Sequence, residues 1–169
     1  MDTLVGPRGW KWRATDWAAA AVAGFAAGAV LMVLDLIWSG VFNPEGPWRT
    51  SHMIAPIFVG ADSFRTSGFH FSVSVVAIAL ATHYVLGIVF GIVLAAAMVQ
   101  LELERRPGTA LLAGVVLGTA LYVVNFDLLV LVFPWLVHMR GAETLAAHVV
   151  FGVVAALLYW RLKRTGPRD

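Results

Sequence analysis

Residues 73–98 read VSVVAIALATHYVLGIVFGIVLAAAM, a run that contains no Asp, Glu, Lys or Arg. A helix rises 1.5 Å per residue, so roughly 20 apolar residues cross the hydrocarbon core of a bilayer, which is about 30 Å thick. Only a helix can cross singly, because it satisfies its own backbone hydrogen bonds where there is no water. The stretch therefore predicts a membrane-spanning helix.

Three more apolar stretches share this pattern. They cover about residues 17–38, 109–133 and 143–160, and only 13% of the chain is charged, against about 25% in soluble domains. The first stretch is longer than the apolar region of a signal peptide, usually about 7–15 residues, so we interpret it as a retained helix. The sequence therefore predicts an all-α fold, in which residues 1–169 form one membrane domain, a bundle of four transmembrane helices.

Basic residues are distributed unequally between the two sides of this predicted bundle. Nine of the twelve Lys and Arg residues lie in residues 1–13, in the loop 101–108 or after residue 160. The positive-inside rule therefore predicts a multi-pass protein with both its N- and C-termini in the cytoplasm. The three basic residues on the outer side are Arg49, Arg65 and Arg140.

The connection between the first two helices, residues 39–72, is predicted to be a long outer loop. Asn43-Pro44 and Gly46-Pro47 interrupt the helix, and the apolar run IAPIFVG at 54–60 follows them. This run is too short to cross a bilayer. It either lies on the outer surface as an amphipathic helix or dips in as a re-entrant segment, and its length favours the surface position.

Small residues recur on one face of each predicted helix. Three helices carry two glycines four residues apart, and the fourth has one glycine with two alanines about one turn later. Lipid gives no hydrophobic drive for helix association, so close approach through small residues is expected to hold the bundle together. The predicted packing positions are Gly24, Gly28, Gly87, Gly91, Gly114, Gly118 and Gly152.

Four polar residues lie close to these glycine faces. Two histidines each precede a glycine by four residues, while an aspartate and an asparagine each follow one by seven, which keeps them near the same stripe. All four are expected in the outer half of the bundle or at its midplane, and the inner half is almost entirely apolar. Ionisable groups in membrane helices are costly and count as functional candidates. The candidates for binding a ligand, proton or metal are His83, His148, Asp35 and Asn125.

Several chemistries suit two histidines and an aspartate. They can relay protons, bind a divalent metal or hold haem through two imidazoles. The simplest alternative is hydrogen bonding between helices, worth about 0.6 kcal/mol on average. The predicted depths of the four residues differ by about 10 Å, whereas the ligands of one metal all lie about 2 Å from it. We therefore predict no cofactor, with haem or a divalent metal as the alternatives.

The sequence contains no motif typical of an enzyme. It has no cysteine, no phosphate-binding glycine loop and no HExxH or GxSxG pattern, so we expect a non-enzymatic protein. With a net charge of only +2, nucleic acid is not an expected partner. The leading hypothesis is a membrane protein that senses or handles protons or ions through its outward-facing polar residues. The alternatives are a structural or accessory subunit of a homo-oligomer or larger membrane complex, and a haem- or metal-binding bundle.

Short stretches of the second, third and fourth helices resemble a known family. They are THY at 82–84, GIVF at 87–90, LLAG at 111–114, and Glu143 with His148 before the basic tail. Together they resemble the YagU-like family of small bacterial inner-membrane proteins, over roughly the last hundred residues. The resemblance implies a bacterial inner-membrane location and a link to acid stress. It carries over two family positions, His83 and His148, whereas Asn125 and Asp127 depart from the family pattern.

Overall fold

The computed structural model describes residues 13–60 and 68–164, and every regular element in those ranges is helical. Four helical spans are long and apolar enough to cross a membrane, which confirms the predicted four-helix bundle. The basic residues of the sequence that lie outside the described ranges are Arg8, Lys11, Arg65 and Arg168.

The helices lie close to their predicted bounds: the first, second and fourth extend slightly further, and the third span, Pro107–Leu131, is displaced by two residues toward the N-terminus. In chain order they are α1 (Trp17–Phe42), α2 (Arg49–Ile54), α3 (Pro56–Val59), α4 (Val73–Gln100), α5 (Pro107–Val123) and α6 (Ala142–Leu162). The third span continues from α5 through a π-helical turn, Val124–Leu128, and a 3-10 turn, Leu129–Leu131. Pro107 begins α5 because the first helical position needs no backbone N–H donor.

The predicted packing glycines bring the long helices together in two pairs. In the first pair, α1 lies against α4, and a Cβ on Gly87 would be 2.8 Å from the carbonyl oxygen of Gly24. In the second pair, α5 lies against α6, and a Cβ on Gly114 would be 2.5 Å from the carbonyl oxygen of Gly152. Both spacings are too short for a side chain, so the backbones touch only because these residues are glycines.

The two pairs are joined chiefly by α1 against α6. The buried cluster that contains this contact is rich in alanines: Ala20, Ala27 and Ala156 have no exposed surface. The cluster also contains Tyr159, which is 2% exposed, in the last turns of α6. The bundle is therefore closely packed through small side chains where α1 meets α6.

Both ends of the described chain meet at one end of the bundle. The carboxylate of Asp16 accepts from the backbone N–H of Ala19 at 3.1 Å, capping α1, and from Nε of Arg164 at 3.0 Å. The Arg164 guanidinium and the backbone N–H groups of Ala19 and Arg164 hold the pKa of Asp16 well below its ordinary value. Lys163 donates to the carbonyl oxygen of Glu104 at 2.6 Å, which ties the α4–α5 loop to the same end. We call this end the terminal end and the opposite one the loop end.

After α1, the two short helices α2 and α3 form a cap over the loop end. Both α2 and α3 contribute buried residues, including Met53 and Pro56, and α2 packs against α1 and α4. The indole N–H of Trp135, in the 3-10 helix Pro134–Met139, donates to the carbonyl oxygen of Met53 at 3.0 Å. The run 54–60 is thus part of two short helices that cover the bundle, and its position relative to lipid stays a prediction.

Replacing Gly24 by alanine tests the close helix contact. We expect Gly24→Ala to lower the apparent Tm in detergent, because its Cβ would overlap the backbone of Gly87, and such overpacking typically costs about 1–3 kcal/mol. The matched control is Gly40→Ala in the same helix, where the nearest atom to a new Cβ is 3.8 Å away. Equal apparent Tm values for the two variants would contradict the proposed contact.

Candidate functional site

A cavity of about 500 Å³ lies between the four long helices, in the half of the bundle nearest the loop end. It extends from Asn43 at the loop end to Gly28 and Phe90 near the middle of the bundle. Most of its lining is apolar, with Leu, Phe and Ile the most frequent apolar residues. The residues that line it include all four candidates from the sequence: Asp35 on α1, His83 on α4, Asn125 in the π-helical turn and His148 on α6.

His148 is held by a directed chain of hydrogen bonds. Its Nδ1 lies 2.7 Å from the carbonyl oxygen of Thr144, which can only accept, so Nδ1 carries the hydrogen. In the neutral ring Nε2 is then an acceptor, and it receives a bond from the side-chain amide of Asn125 at 3.0 Å. The bond joins α6 to the third span. Its donor and acceptor are assigned from this network, as is usual for Asn and His.

His83 makes the same hydrogen bond to the backbone but has no side-chain partner like Asn125 among the described residues. Its Nδ1 donates to the carbonyl oxygen of Ala79 at 2.9 Å, which again makes Nε2 the acceptor of the neutral ring. Within residues 13–60 and 68–164, no group donates a hydrogen bond to this Nε2. The ring lines the cavity, so a lone pair is available there.

Asp35 is bonded to the cap. Its Oδ1 accepts from the hydroxyl of Thr50 at 2.9 Å. The adjacent Arg49 lines the cavity, with Nε 2.5 Å from the Glu45 carboxylate and a second donor 2.8 Å from the carbonyl oxygen of His138. The sequence analysis missed Thr50 and Arg49, because only the folding of the loop brings them to α1.

The π-helical turn positions Asn125. Arg140 braces this turn: its Nε donates to the carbonyl oxygen of Phe126 at 2.6 Å, and its NH2 group lies 2.9 Å from Asp127. A π turn shifts the helical phase and is often found at functional sites. Asp127 is half-exposed and is not part of the cavity lining, whereas Asn125 is. No pattern in the sequence indicated the π turn or the role of Arg140.

The two helix pairs repeat one arrangement. In each pair the first helix runs from the terminal end to the loop end, with two glycines four residues apart and a polar residue seven positions later, Asp35 or Asn125. In each, the returning helix has a histidine four residues before a glycine, and the backbone of His83 or His148 contacts a glycine of the first helix. In many membrane transporters, the substrate site lies at the interface between internal repeats.

The repeat also shows how the two halves of the site differ. Asn125 bonds to His148, whereas Asp35, which occupies the equivalent position, is bonded to Thr50. His83, equivalent to His148, keeps a free acceptor. We call Asp35 and His83 the open half-site, and Asn125 and His148 the closed half-site.

The arrangement of ligands bears on the metal and haem alternatives. Among the described residues, no group of three or more His, Asp or Glu side chains could hold a metal ion. The four site residues line the cavity without forming a compact ligand set. Nδ1 of His148 is bonded to a backbone carbonyl oxygen, so only Nε2 could ligate haem iron, and Nε2 is bonded to Asn125. Haem held by both imidazoles would therefore require this bond to Asn125 to break.

No family model, no curated protein and no solved structure matches this chain. The fold and the cavity by themselves define its class, a small multi-pass membrane protein with four helices that can span a bilayer. The cavity occupies only one half of this bundle. The resemblance to the YagU-like family stays a prediction from the sequence.

Replacing Arg140 tests how the π-helical turn is held. We expect Arg140→Met to destabilise the protein by about 1–3 kcal/mol, because the carbonyl oxygen of Phe126 loses a charged donor. Asp127→Asn breaks only the exposed ion pair and should change the stability by less than about 1 kcal/mol. Apparent Tm values of the two variants give the comparison, and a larger loss for Asp127→Asn would refute this role of Arg140.

Proposed function

We propose that this protein is a non-enzymatic membrane protein that responds to protons at the loop-end cavity without conducting them across the membrane. The observation that carries the proposal is the hydrogen-bond chain from Asn125 through His148 to the carbonyl oxygen of Thr144. Histidine is the side chain whose ordinary titration range lies closest to neutral pH.

Protonation of His148 conflicts with its present partner. The imidazolium has hydrogens on both nitrogens, so Nε2 would face the amide hydrogens of Asn125, two donors against each other. The amide must then rotate to present its oxygen, or the two side chains must separate. Asn125 lies in the π-helical turn held by Arg140, so the change begins where the third span joins the loop end.

Other titratable and charged groups share the surroundings of His148. The Tyr122 ring, on α5, has its centroid 6.1 Å from that of His148 in an edge-to-face arrangement. Charged or titratable groups on three of the long helices and on the cap line the same cavity, and the proton response belongs to this set as a whole. They are Asp35 on α1, Arg49 on α2, His83 on α4 and Glu143 on α6.

The packing of the terminal half supports a response on one side rather than conduction. A conducting path needs polar groups or water along the whole span. The four site residues and the cavity lie in the loop half. The cluster in the terminal half is formed largely by alanines and large apolar side chains with almost no exposed surface.

Nitrogen NMR of isotope-labelled histidine in nanodiscs tests the proton response. At about pH 8 we expect His148 to be the neutral tautomer with its hydrogen on Nδ1. As the pH falls, we expect the side-chain amide signals of Asn125 to change in step with the titration of His148.

The control variants separate the local coupling from a general effect. Asp127→Asn, in the same π-helical turn but outside the cavity lining, should keep the wild-type titration curve, while Asn125→Leu should alter it. If the hydrogen resides on Nε2 near neutral pH, or if His148 titrates without any change at Asn125, the proposed coupling is wrong.

For location we propose a bacterial inner membrane with the terminal end in the cytoplasm. The support is the charge asymmetry: among the described residues, six basic side chains belong to the terminal end and two to the loop end. The six are Arg13, Arg105, Arg106, Arg161, Lys163 and Arg164, and the two are Arg49 and Arg140.

Single cysteines test this orientation without background, because the natural chain has none. In spheroplasts we expect a membrane-impermeant maleimide to label Gly46→Cys in the connection to the cap. Arg105→Cys, in the α4–α5 loop, should react only after lysis. If Arg105→Cys alone is labelled in intact spheroplasts, the orientation is the opposite of the one proposed.

A further inference from the structure

We propose that the open half-site, Asp35 and His83, binds the polar end of an amphiphile that enters the cavity sideways from the bilayer. The ligand class is an apolar chain or ring that ends in a hydrogen-bond donor, either a hydroxyl or an ammonium group. This inference rests on the cavity and its side opening, and it does not depend on the proton response of His148.

The cavity has an opening beside α6. Ala146 and His148 are two residues apart, so their side chains project about 200° from each other around the helix. Both nevertheless line the cavity, and so does Val150, which is two residues beyond His148. The cavity therefore continues from the interior of the bundle around one edge of α6 to its outer surface.

The facing edge of this opening is formed by α1. Leu34 and Ile37 line the cavity and are 41% and 57% exposed. Leu34 lies about 26 Å along α1 from Trp17 at 1.5 Å per residue, within the roughly 30 Å of a hydrocarbon core and near its loop-end boundary. The opening lined by Leu34, Ile37, Ala146 and Val150 carries no charge, so it suits a molecule that arrives from hydrocarbon.

The polar groups within the cavity determine whether the polar group of a ligand should donate or accept a hydrogen bond. Three threonine hydroxyls that line it already donate within the protein: Thr50 to Asp35, Thr82 to Ile78 and Thr144 to Met139. Acceptors of the lining for which no donor is found among the described residues include Nε2 of His83, Oδ2 of Asp35 and the Glu143 carboxylate. The site therefore favours a ligand that donates.

The charges in the cavity disfavour an anionic head group. Two carboxylates, Asp35 and Glu143, line it with one guanidinium, Arg49, which already donates to the Glu45 carboxylate and to the carbonyl oxygen of His138. With neutral histidines the lining carries one net negative charge. A carboxylate or phosphate would meet repulsion there, whereas a hydroxyl or an ammonium group would not.

The repeat provides a template for this contact. In the closed half-site, the amide of Asn125 supplies the donor that Nε2 of His148 requires. In the open half-site, Asp35 is an acceptor and cannot serve Nε2 of His83 in this way. A ligand hydroxyl or ammonium group would instead donate to Nε2 of His83, as the Asn125 amide donates to Nε2 of His148.

Equilibrium binding of radiolabelled dodecanol to the protein in nanodiscs tests the inference, with empty nanodiscs subtracted. At about pH 8, where histidine is largely neutral, we expect saturable binding of one molecule per protein. Dodecylamine should compete. Dodecyl methyl ether, which cannot donate, and dodecanoate, which is anionic, should compete about tenfold more weakly or worse.

Two variants locate the site, each with a matched control. We expect His83→Phe to weaken dodecanol binding about tenfold or more through loss of the acceptor, while His52→Phe in the cap does not. Ala146→Trp should block the opening, whereas Leu112→Trp on an exposed face of α5 should not. If Ala146→Trp fails to fold, Ala146→Leu replaces it.

Two natural sources share the required chemistry, a lipid alcohol and a membrane quinol. Competition by monoolein and by decylubiquinol distinguishes them, and the stronger competitor identifies the source. The inference is overturned if neither competes with dodecanol, if the methyl ether binds as tightly as the alcohol, or if both His83→Phe and the Ala146 variant bind like the wild type. Failure here leaves the proton response of His148 standing, and the reverse also holds.

Discussion

Contact between the backbones of paired helices at glycine is the constraint on which the rest of this structure depends. Gly24 against Gly87 and Gly114 against Gly152 leave no room for a side chain, so each pair is fixed in register and distance. The pairs then meet through alanines in the terminal half, where the buried cluster is found. Toward the loop end, larger and polar side chains stand between the pairs, and the space enclosed there is the cavity.

The same contacts place the histidines. Gly28 packs against the backbone of His83, and Gly118 against the backbone of His148, so each imidazole begins at a fixed point on the cavity wall. Each ring then donates to the carbonyl oxygen four residues earlier, which fixes its tautomer and leaves Nε2 as the acceptor. The two repeats give their histidines different partners, so one half-site is internally bonded and the other can receive a ligand.

The cap and the π-helical turn give the two halves of the site their different characters. The hydroxyl of Thr50 on the cap donates to one oxygen of Asp35. The π-helical turn places Asn125 within hydrogen-bond distance of His148 and is held by Arg140. Both features lie at the loop end, where the spans give way to short helices. A change in protonation or in bound ligand would therefore first alter the loop end of the bundle, where the cap and the π-helical turn lie.

The sequence by itself determined the four spans, because an uninterrupted apolar run of sufficient length has no other stable form in a bilayer. It also determined which glycines and polar residues share a helix face, because helical phase depends only on spacing; Asp35, His83, Asn125 and His148 all line the cavity. Only the tertiary structure decided that these faces enclose one space, that Thr50 reaches Asp35, and that the third span widens into a π turn. The reason is physical: spacing along one helix carries no information about which helices become neighbours, where a loop folds back, or which carbonyl group a distant arginine will satisfy.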